Sequence, residues 1–433
     1  MFSSIEFGFY FLIEFVRMAV PLVFAILLIK CDPIRHFVNA VVLCLIGANL
    51  TTSVGLLIGQ NGQTVTILLT LILSISLLRA AIKGSKFSFN KDSILELASV
   101  FVFVFILPTF FFFINSPELI GDYVFWLKRT LLVIFLISIG YVSSVLSINS
   151  VRRVALIVFL INCMGVIVSF FAPELFLLLI DMDDPMLEKG LNPMGGGFFL
   201  NPNGAALSVI FSFLAIVYVK RSIGRYKFVF LTSIFLLTLA IAGSRGGFLC
   251  GFILILFLLK NFGIFGILKS RRFFIVLFIL PAAAIVLMNF IDIESIGGFT
   301  RIVDINNEGN LASNDSRWNA LAASIRLAFE NPVLGSGFGL RNILLDTQPH
   351  NMYAAYAVDI GIIGFIALPI FITLLTKSII AKNSRFNFMI TAFAILFMSL
   401  FDHEIIYSKQ FAYLLFMAVI VYRSMGVLIS RKA

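Results

Sequence analysis

Three basic residues combine side-chain types that could bind an anion and move a proton. Arg245 lies among small residues, where the backbone could approach a ligand closely. Arg317 lies within the polar segment 314–319, where its guanidinium could bind a nearby anion. His350 follows a proline just ahead of an apolar run, so its imidazole has a rigid mount. Singly, each also has a structural explanation: an arginine reaching to water, an arginine paired with Asp315, or a packed histidine.

The elements that must position these residues are membrane helices. The chain has 433 residues, of which 60% are apolar and 12% charged, and this excludes soluble domains with polar surfaces. Apolar runs of about 17 to 24 residues recur, long enough to cross a bilayer, and lipid requires them to be helical. We predict an all-α, polytopic helical membrane protein, with 1–433 a single integral domain and about 12 to 13 transmembrane helices.

The predicted spans follow the apolar runs along the chain. They cover residues 8–29, 37–58, 64–82, 94–114, 124–146, 154–172, 203–219, 228–242, 247–259, 273–291, 352–376, 386–401 and 410–428. The first run is not a cleavable signal peptide, because no Lys or Arg precedes it and Glu14 lies inside it. We therefore expect the chain to be retained whole.

Charge sets the predicted topology. Alternate loops are basic and are expected to face the cytoplasm, so the net charge of +10 is a topology signal that does not require nucleic-acid binding. Two long loops, 173–202 and 292–351, are expected on the outer face. In the second, apolar residues recur at helical spacing and predict a short amphipathic helix on the membrane surface: Trp318, Leu321, Ile325 and Ala328. Asp315 or Ser316 is the expected N-cap, which would place Arg317 in the first turn.

The four cysteines favour neither a disulfide nor a zinc site. They are widely spaced in or beside apolar runs, without a CxxC pair or clustered histidines. We predict no metal site and no cofactor.

An ordered set of motifs carries a family resemblance. It comprises Asn201-Pro202-Asn203, Ser244-Arg245-Gly246-Gly247, Arg317-Trp318, the segment 331–339 (NPVLGSGFG), His350-Asn351 and the segment 361–364 (GIIG). In this order they resemble the O-antigen polymerase and O-antigen ligase superfamily.

The resemblance implies a metal-independent, inverting glycosyltransferase of the GT-C type in the bacterial inner membrane, with its active site facing the periplasm. Its substrate would be a glycan linked to undecaprenyl pyrophosphate, serving as donor and acceptor. Arg245 and Arg317 match the motif arginines and would neutralise the leaving pyrophosphate. His350 would assist deprotonation of the acceptor hydroxyl, since its ordinary pKa of about 6.5 suits a general base.

Further residues are candidates for substrate binding. They are Asn203, Trp318 and Asn351 within the motifs, Arg341 near the glycine-rich turn, and His403 in the polar segment between the last two spans. Membrane lipids are expected partners, and a flippase and a chain-length regulator follow only from the resemblance.

Three functions remain open. The leading hypothesis is a polymerase that moves the growing glycan onto an incoming lipid-linked repeat unit, making O-antigen, capsule or exopolysaccharide. The second is a ligase that delivers finished polymer to lipid A core or to a protein. A transporter of the lipid-linked glycan is less favoured, because the sequence shows no clear internal repeat.

Overall fold

The part of the chain described by the structure, a computed structural model, is helical. It covers residues 148–171, 196–197, 201–220, 223–261, 308–336, 350–380 and 384–402, with positions 405, 411, 413–415, 417–418 and 421. Six predicted spans lie outside the described residues: 8–29, 37–58, 64–82, 94–114, 124–146 and 273–291.

Seven helices form the described part. They are α1 (Ile148–Phe171), α2 (Pro202–Val219), α3 (Arg225–Ala242), α4 (Arg245–Asn261), α5 (Glu308–Glu330), α6 (Met352–Ile380) and α7 (Arg385–Met398). All but α5 coincide with predicted spans. Among the described helices, three are long and apolar enough to cross a membrane, at Val151–Phe171, Pro202–Val219 and Met352–Lys377. α3, α4 and α7 are shorter apolar helices.

Helix α2 is the centre of the bundle. Every residue from Ala205 to Val219 is buried, because α1, α3, α4 and α7 surround it. The Phe213 ring stacks on Phe235 of α3, with centroids 4.1 Å apart, and tilts against Phe159 of α1 at 5.9 Å. A helix that is apolar all round needs such enclosure or lipid on every side. Here the protein supplies the enclosure.

One end of the bundle collects the positive charge. Among the described residues, eight basic ones lie there, at the helix ends or within the first two turns: Arg152, Arg153, Lys220, Arg225, Lys227, Lys260, Lys377 and Arg385. The ammonium of Lys220 lies 5.1 Å from the centroid of the Phe386 ring, which joins the end of α2 to the start of α7. We call this the basic end.

Helix α5 corrects a prediction made from capping residues. The helix begins at Glu308, so neither Asp315 nor Ser316 is its N-cap, and Arg317 lies in the third turn rather than the first. Leu311 and Ala312 extend the helical sequence upstream, and no proline interrupts it. The presence of a helix in this loop was predicted correctly, but its start was not.

Helix α6 confirms the predicted span 352–376, but it contains a break that was not predicted. Gly361 has φ 71° and ψ −157°, a conformation that separates a buried first segment from a longer second one. Large apolar side chains become exposed only after the break, beginning with Ile362 and Ile363. Hydropathy alone does not register this division, because both segments are apolar.

Candidate active site

The bundle end opposite the basic end is built from capped helix N-termini. At the start of α2, the Asn201 side chain accepts a hydrogen bond of 2.9 Å from the Asn203 amide, and Pro202 occupies the first helical turn. Both residue types suit a helix start, because the first amides have no partner within the helix. The Asn201-Pro202-Asn203 motif is therefore a helix-starting device.

A second N-terminus is tied directly to the first. The Ser244 hydroxyl lies 2.8 Å from Asn203 Oδ1, to which it donates, and it accepts from the Gly247 amide at 3.2 Å. Ser244 therefore caps α4 and holds α4 against α2. Gly243, with φ 69°, ends α3 in a left-handed turn immediately before it. Arg245 follows as the first residue of α4, and its side chain is exposed.

The glycines beside Arg245 serve helix packing. A Cβ at Gly247 would collide with the Cβ of Ala206 on α2, and one at Gly246 would lie 2.5 Å from the Phe401 ring. The sequence suggested that small residues here let the backbone approach a ligand. In the structure these glycines let α4 pack closely against α2 and Phe401. This packing fixes the position of the Arg245 backbone.

A third capped N-terminus carries the histidine. Asn351 Oδ1 accepts from the amides of Tyr353 at 2.9 Å and Ala354 at 3.1 Å, so Asn351 is the N-cap of α6. The Met352 amide donates to the Ser399 carbonyl at 2.8 Å, which joins the start of α6 to the end of α7. His350 lies directly before the cap and is half-buried. The predicted rigid mount for this imidazole is supported by these contacts.

Arg245 and His350 therefore lie at the same end of the bundle. The connection runs from Gly246 to Phe401, which follows α7, and from Ser399 to the start of α6. We call this region the capped end. Of the described lysines and arginines outside α5, Arg245 alone lies there. Helix N-termini carry partial positive charge, so Arg245 in the first turn of α4 can attract an anion locally, while the C-termini of α1, α3 and α7 lie at the same end.

The third predicted catalytic residue, Arg317, belongs to α5, which packs against α6. Its Cα precedes those of Ala320 and Ser324 by three and seven residues, so it shares their helix face. Ala320 and Ser324 are buried. The backbone thus places Arg317 on the side of α5 that is turned into the protein.

A turn after α5 locks this helix to the break in α6. The Ser336 amide donates to the Val358 carbonyl at 2.7 Å, and the Ile362 amide donates to the Pro332 carbonyl at 2.8 Å. A Cβ on Gly335, which has φ 72°, would lie 2.5 Å from the Ile360 nitrogen. Two of the motifs found in the sequence, the segment 331–339 through its described residues 331–336 and the segment 361–364, therefore contact each other at this turn, which we call the turn lock.

The predicted binding residues divide into three groups. Asn203 and Asn351 lie at the capped end, where both make the structural contacts described above. Trp318 is 69% exposed on α5. Arg341 and His403 lie outside the described residues. Sequence reasoning missed the contributions of Ser399 and Phe401, because a residue after a helix end gives no signal of what it touches.

The described cysteines lie within the helix bundle. Cys163 and Cys250 are buried as free thiols in α1 and α4. Within the described residues, no group of three or more His, Cys, Asp or Glu side chains could hold a metal ion.

The apolar helices define the class as an all-α polytopic membrane protein. Residues 230–368 match the family model described as O-antigen ligase. The match confirms the resemblance to the O-antigen polymerase and ligase superfamily over this part of the chain, which contains Arg245, Arg317 and His350. No curated protein and no solved structure matches the chain.

Replacing Gly247 with valine should loosen the mount of Arg245. Overpacking against Ala206 should cost about 1 to 3 kcal/mol, measured as a fall in thermal stability of the purified protein in detergent. Gly224→Val is the matched control, since a Cβ there meets nothing within 4 Å, and only its N-cap preference changes, by about 1 kcal/mol or less. Equal losses in the two variants would show that the α2–α4 contact is not tight.

Proposed function

We propose that this protein is a polysaccharide polymerase that transfers a growing glycan from undecaprenyl pyrophosphate to an incoming lipid-linked repeat unit. The observation that carries the proposal is the capped end, where Arg245 and His350 lie at the same end of the bundle and within the region matched by the O-antigen ligase family. An anion-favouring site beside a mounted imidazole fits a reaction with an anionic leaving group and a hydroxyl nucleophile.

The charge of the leaving group is the main demand of this reaction. As the bond between the anomeric carbon and the phosphate oxygen breaks, negative charge grows on the pyrophosphate. Arg245, at the first turn of α4, neutralises that charge together with the helix N-termini beside it. In this proposal, Arg317 of α5 supplies a second positive charge to the pyrophosphate. Arginine forks bind phosphate oxygens in pairs, so the proposed reaction needs no metal ion.

The acceptor is the second substrate. His350 takes the proton of the acceptor hydroxyl as its oxygen bonds to the anomeric carbon, and the pyrophosphate leaves from the opposite side with inversion. The supporting observation is that Arg245 is the first residue of α4 and His350 precedes the N-cap of α6, with both helices starting at the capped end. Asn351 orients His350 through its cap, and Asn203 orients Arg245 through Ser244. Arg341 and His403 are proposed to contact the glycan.

The charge distribution supports the proposed sidedness. Basic residues at the basic end fit the cytoplasmic side under the positive-inside rule, and this supports a periplasmic position for the capped end. We therefore propose an inner-membrane location with a periplasmic active site. A flippase that delivers the repeat unit and a chain-length regulator are the proposed partners.

Ligation is the second candidate, favoured by the description of the matching family as O-antigen ligase. In that case the same donor would be transferred to lipid A core or to a protein. The leaving-group chemistry is identical in both reactions, so the geometry of the donor site supports them equally. The two reactions differ only in the acceptor, which is a lipid-linked repeat unit for a polymerase and lipid A core or a protein for a ligase.

Loss of the gene separates the two reactions in a bacterium that makes lipopolysaccharide through this chain. If the protein is a polymerase, the mutant should carry single-repeat lipopolysaccharide, because ligation of unpolymerised units continues. Long polymer retained on the lipid carrier would instead identify a ligase. The readouts are gel profiles of lipopolysaccharide and of extracted carrier lipid, with restoration by the intact gene as the control.

His350→Ala should abolish glycan transfer by the purified protein while leaving binding of the lipid-linked donor unchanged, because the base acts on the acceptor. Chromatography of the lipid-linked products measures transfer, and adding a chelator to the wild-type reaction should leave its yield unchanged. Asn351→Ala, which removes only the cap, should lower transfer less than His350→Ala. Undiminished polymer from the His350 variant would contradict the assignment of the base.

A further inference from the structure

Helix α5 exposes a row of large apolar side chains. Trp318 is 69% exposed, Ile325 47% and Phe329 76%, and their spacing of seven and four residues places them on one face. The face that includes Ala320 and Ser324 is buried instead. The exposed row is thus distinct from the packing face of α5.

The row continues into the turn that follows α5. Val333 is 60% exposed and Leu334 48%. The backbone of this turn is fixed to α6, because Pro332 accepts from Ile362 at 2.8 Å. Ile362, in turn, is itself 56% exposed. The exposed apolar surface therefore continues from α5 through the turn to α6.

On α6 the surface belongs to a helix that is long and apolar enough to cross a membrane. Its exposed side chains from Ile362 to Leu374 are apolar: Ile362, Ile363, Phe365, Ile366, Ile370 and Leu374. Before Gly361, most side chains from Met352 onward are buried in protein. The exposed surface of α6 thus begins at the level of the turn.

Polar side chains mark the limit of this surface on α5. Asn319, Arg326 and Glu330 are exposed and lie about 80° to 120° around the helix from Trp318. A surface helix with adjacent apolar and polar faces suits the boundary between acyl chains and water. An apolar patch of this extent is unfavourable in water, so it indicates a binding surface.

We propose that the row Trp318–Ile325–Phe329 and the turn residues Val333 and Leu334 form a lipid anchor in the bilayer interface. Its occupant is ordinary membrane phospholipid, because the row is continuous with the exposed apolar surface of α6. The anchor sets the depth of α5, and through it the height of Arg317 above the acyl chains. This proposal does not require any particular transfer activity.

Nitroxide labels on single cysteines test the anchor in the full-length protein. Phe329→Cys and Leu334→Cys are compared with Arg326→Cys and Glu330→Cys, after replacement of the four native cysteines by alanine. The protein is reconstituted in phosphatidylcholine liposomes that contain no polyprenyl lipid. Labels in the anchor should collide more with oxygen than with a water-soluble nickel chelate, and the control labels should show the reverse.

Three outcomes would overturn the proposal. Nickel access at Leu334 equal to that at Glu330 would place the turn in water. Immobilised labels at Phe329 and Leu334 that neither reagent reaches would show that this chain or a second copy covers the row. Oxygen contact that arises only after undecaprenyl phosphate is added would assign the row to the polyprenyl chain of the substrate.

Discussion

The hydrogen bond between Ser244 and Asn203 is the contact on which the arrangement of the candidate site depends. Helix N-termini leave amides without partners within the helix, and side chains, neighbouring backbone or water must bind them. Ser244 caps α4 and at the same time holds the start of α2. The position of Arg245 thus follows from the packing of two helices rather than from a flexible loop.

The same constraint shapes the histidine side of the site. Asn351 caps α6, and the Ser399 carbonyl receives the Met352 amide, so the end of α7 completes the start of α6. Phe401 then reaches Gly246 on α4. An arginine at a helix N-terminus opposes the helix dipole, a placement that a bound anion stabilises. The capping residues Ser244 and Asn351 are therefore the immediate neighbours of the proposed catalytic residues Arg245 and His350.

Much of this fold could be predicted from sequence, because apolar runs and turn residues report directly on helices in lipid. The starts of α2 and α6 followed from Pro202, Asn351 and the hydropathy pattern. The start of α5 was predicted wrongly, since Asp and Ser signal a cap only when the preceding residues cannot be helical. The break at Gly361 depends on a partner turn far away in sequence, and no local pattern reveals it.

Substitution of Arg245 in the purified, reconstituted protein is the most direct test of the proposed pyrophosphate site. Turnover of lipid-linked repeat units should fall about 100- to 1,000-fold or more in Arg245→Glu, as expected when a donor to developing charge is removed. Arg245→Lys should retain part of the activity, because it keeps the charge but loses the paired contact. Thermal stability should stay close to that of the wild type in both variants, since the side chain is exposed. Turnover in Arg245→Glu equal to that of the wild type would contradict the account.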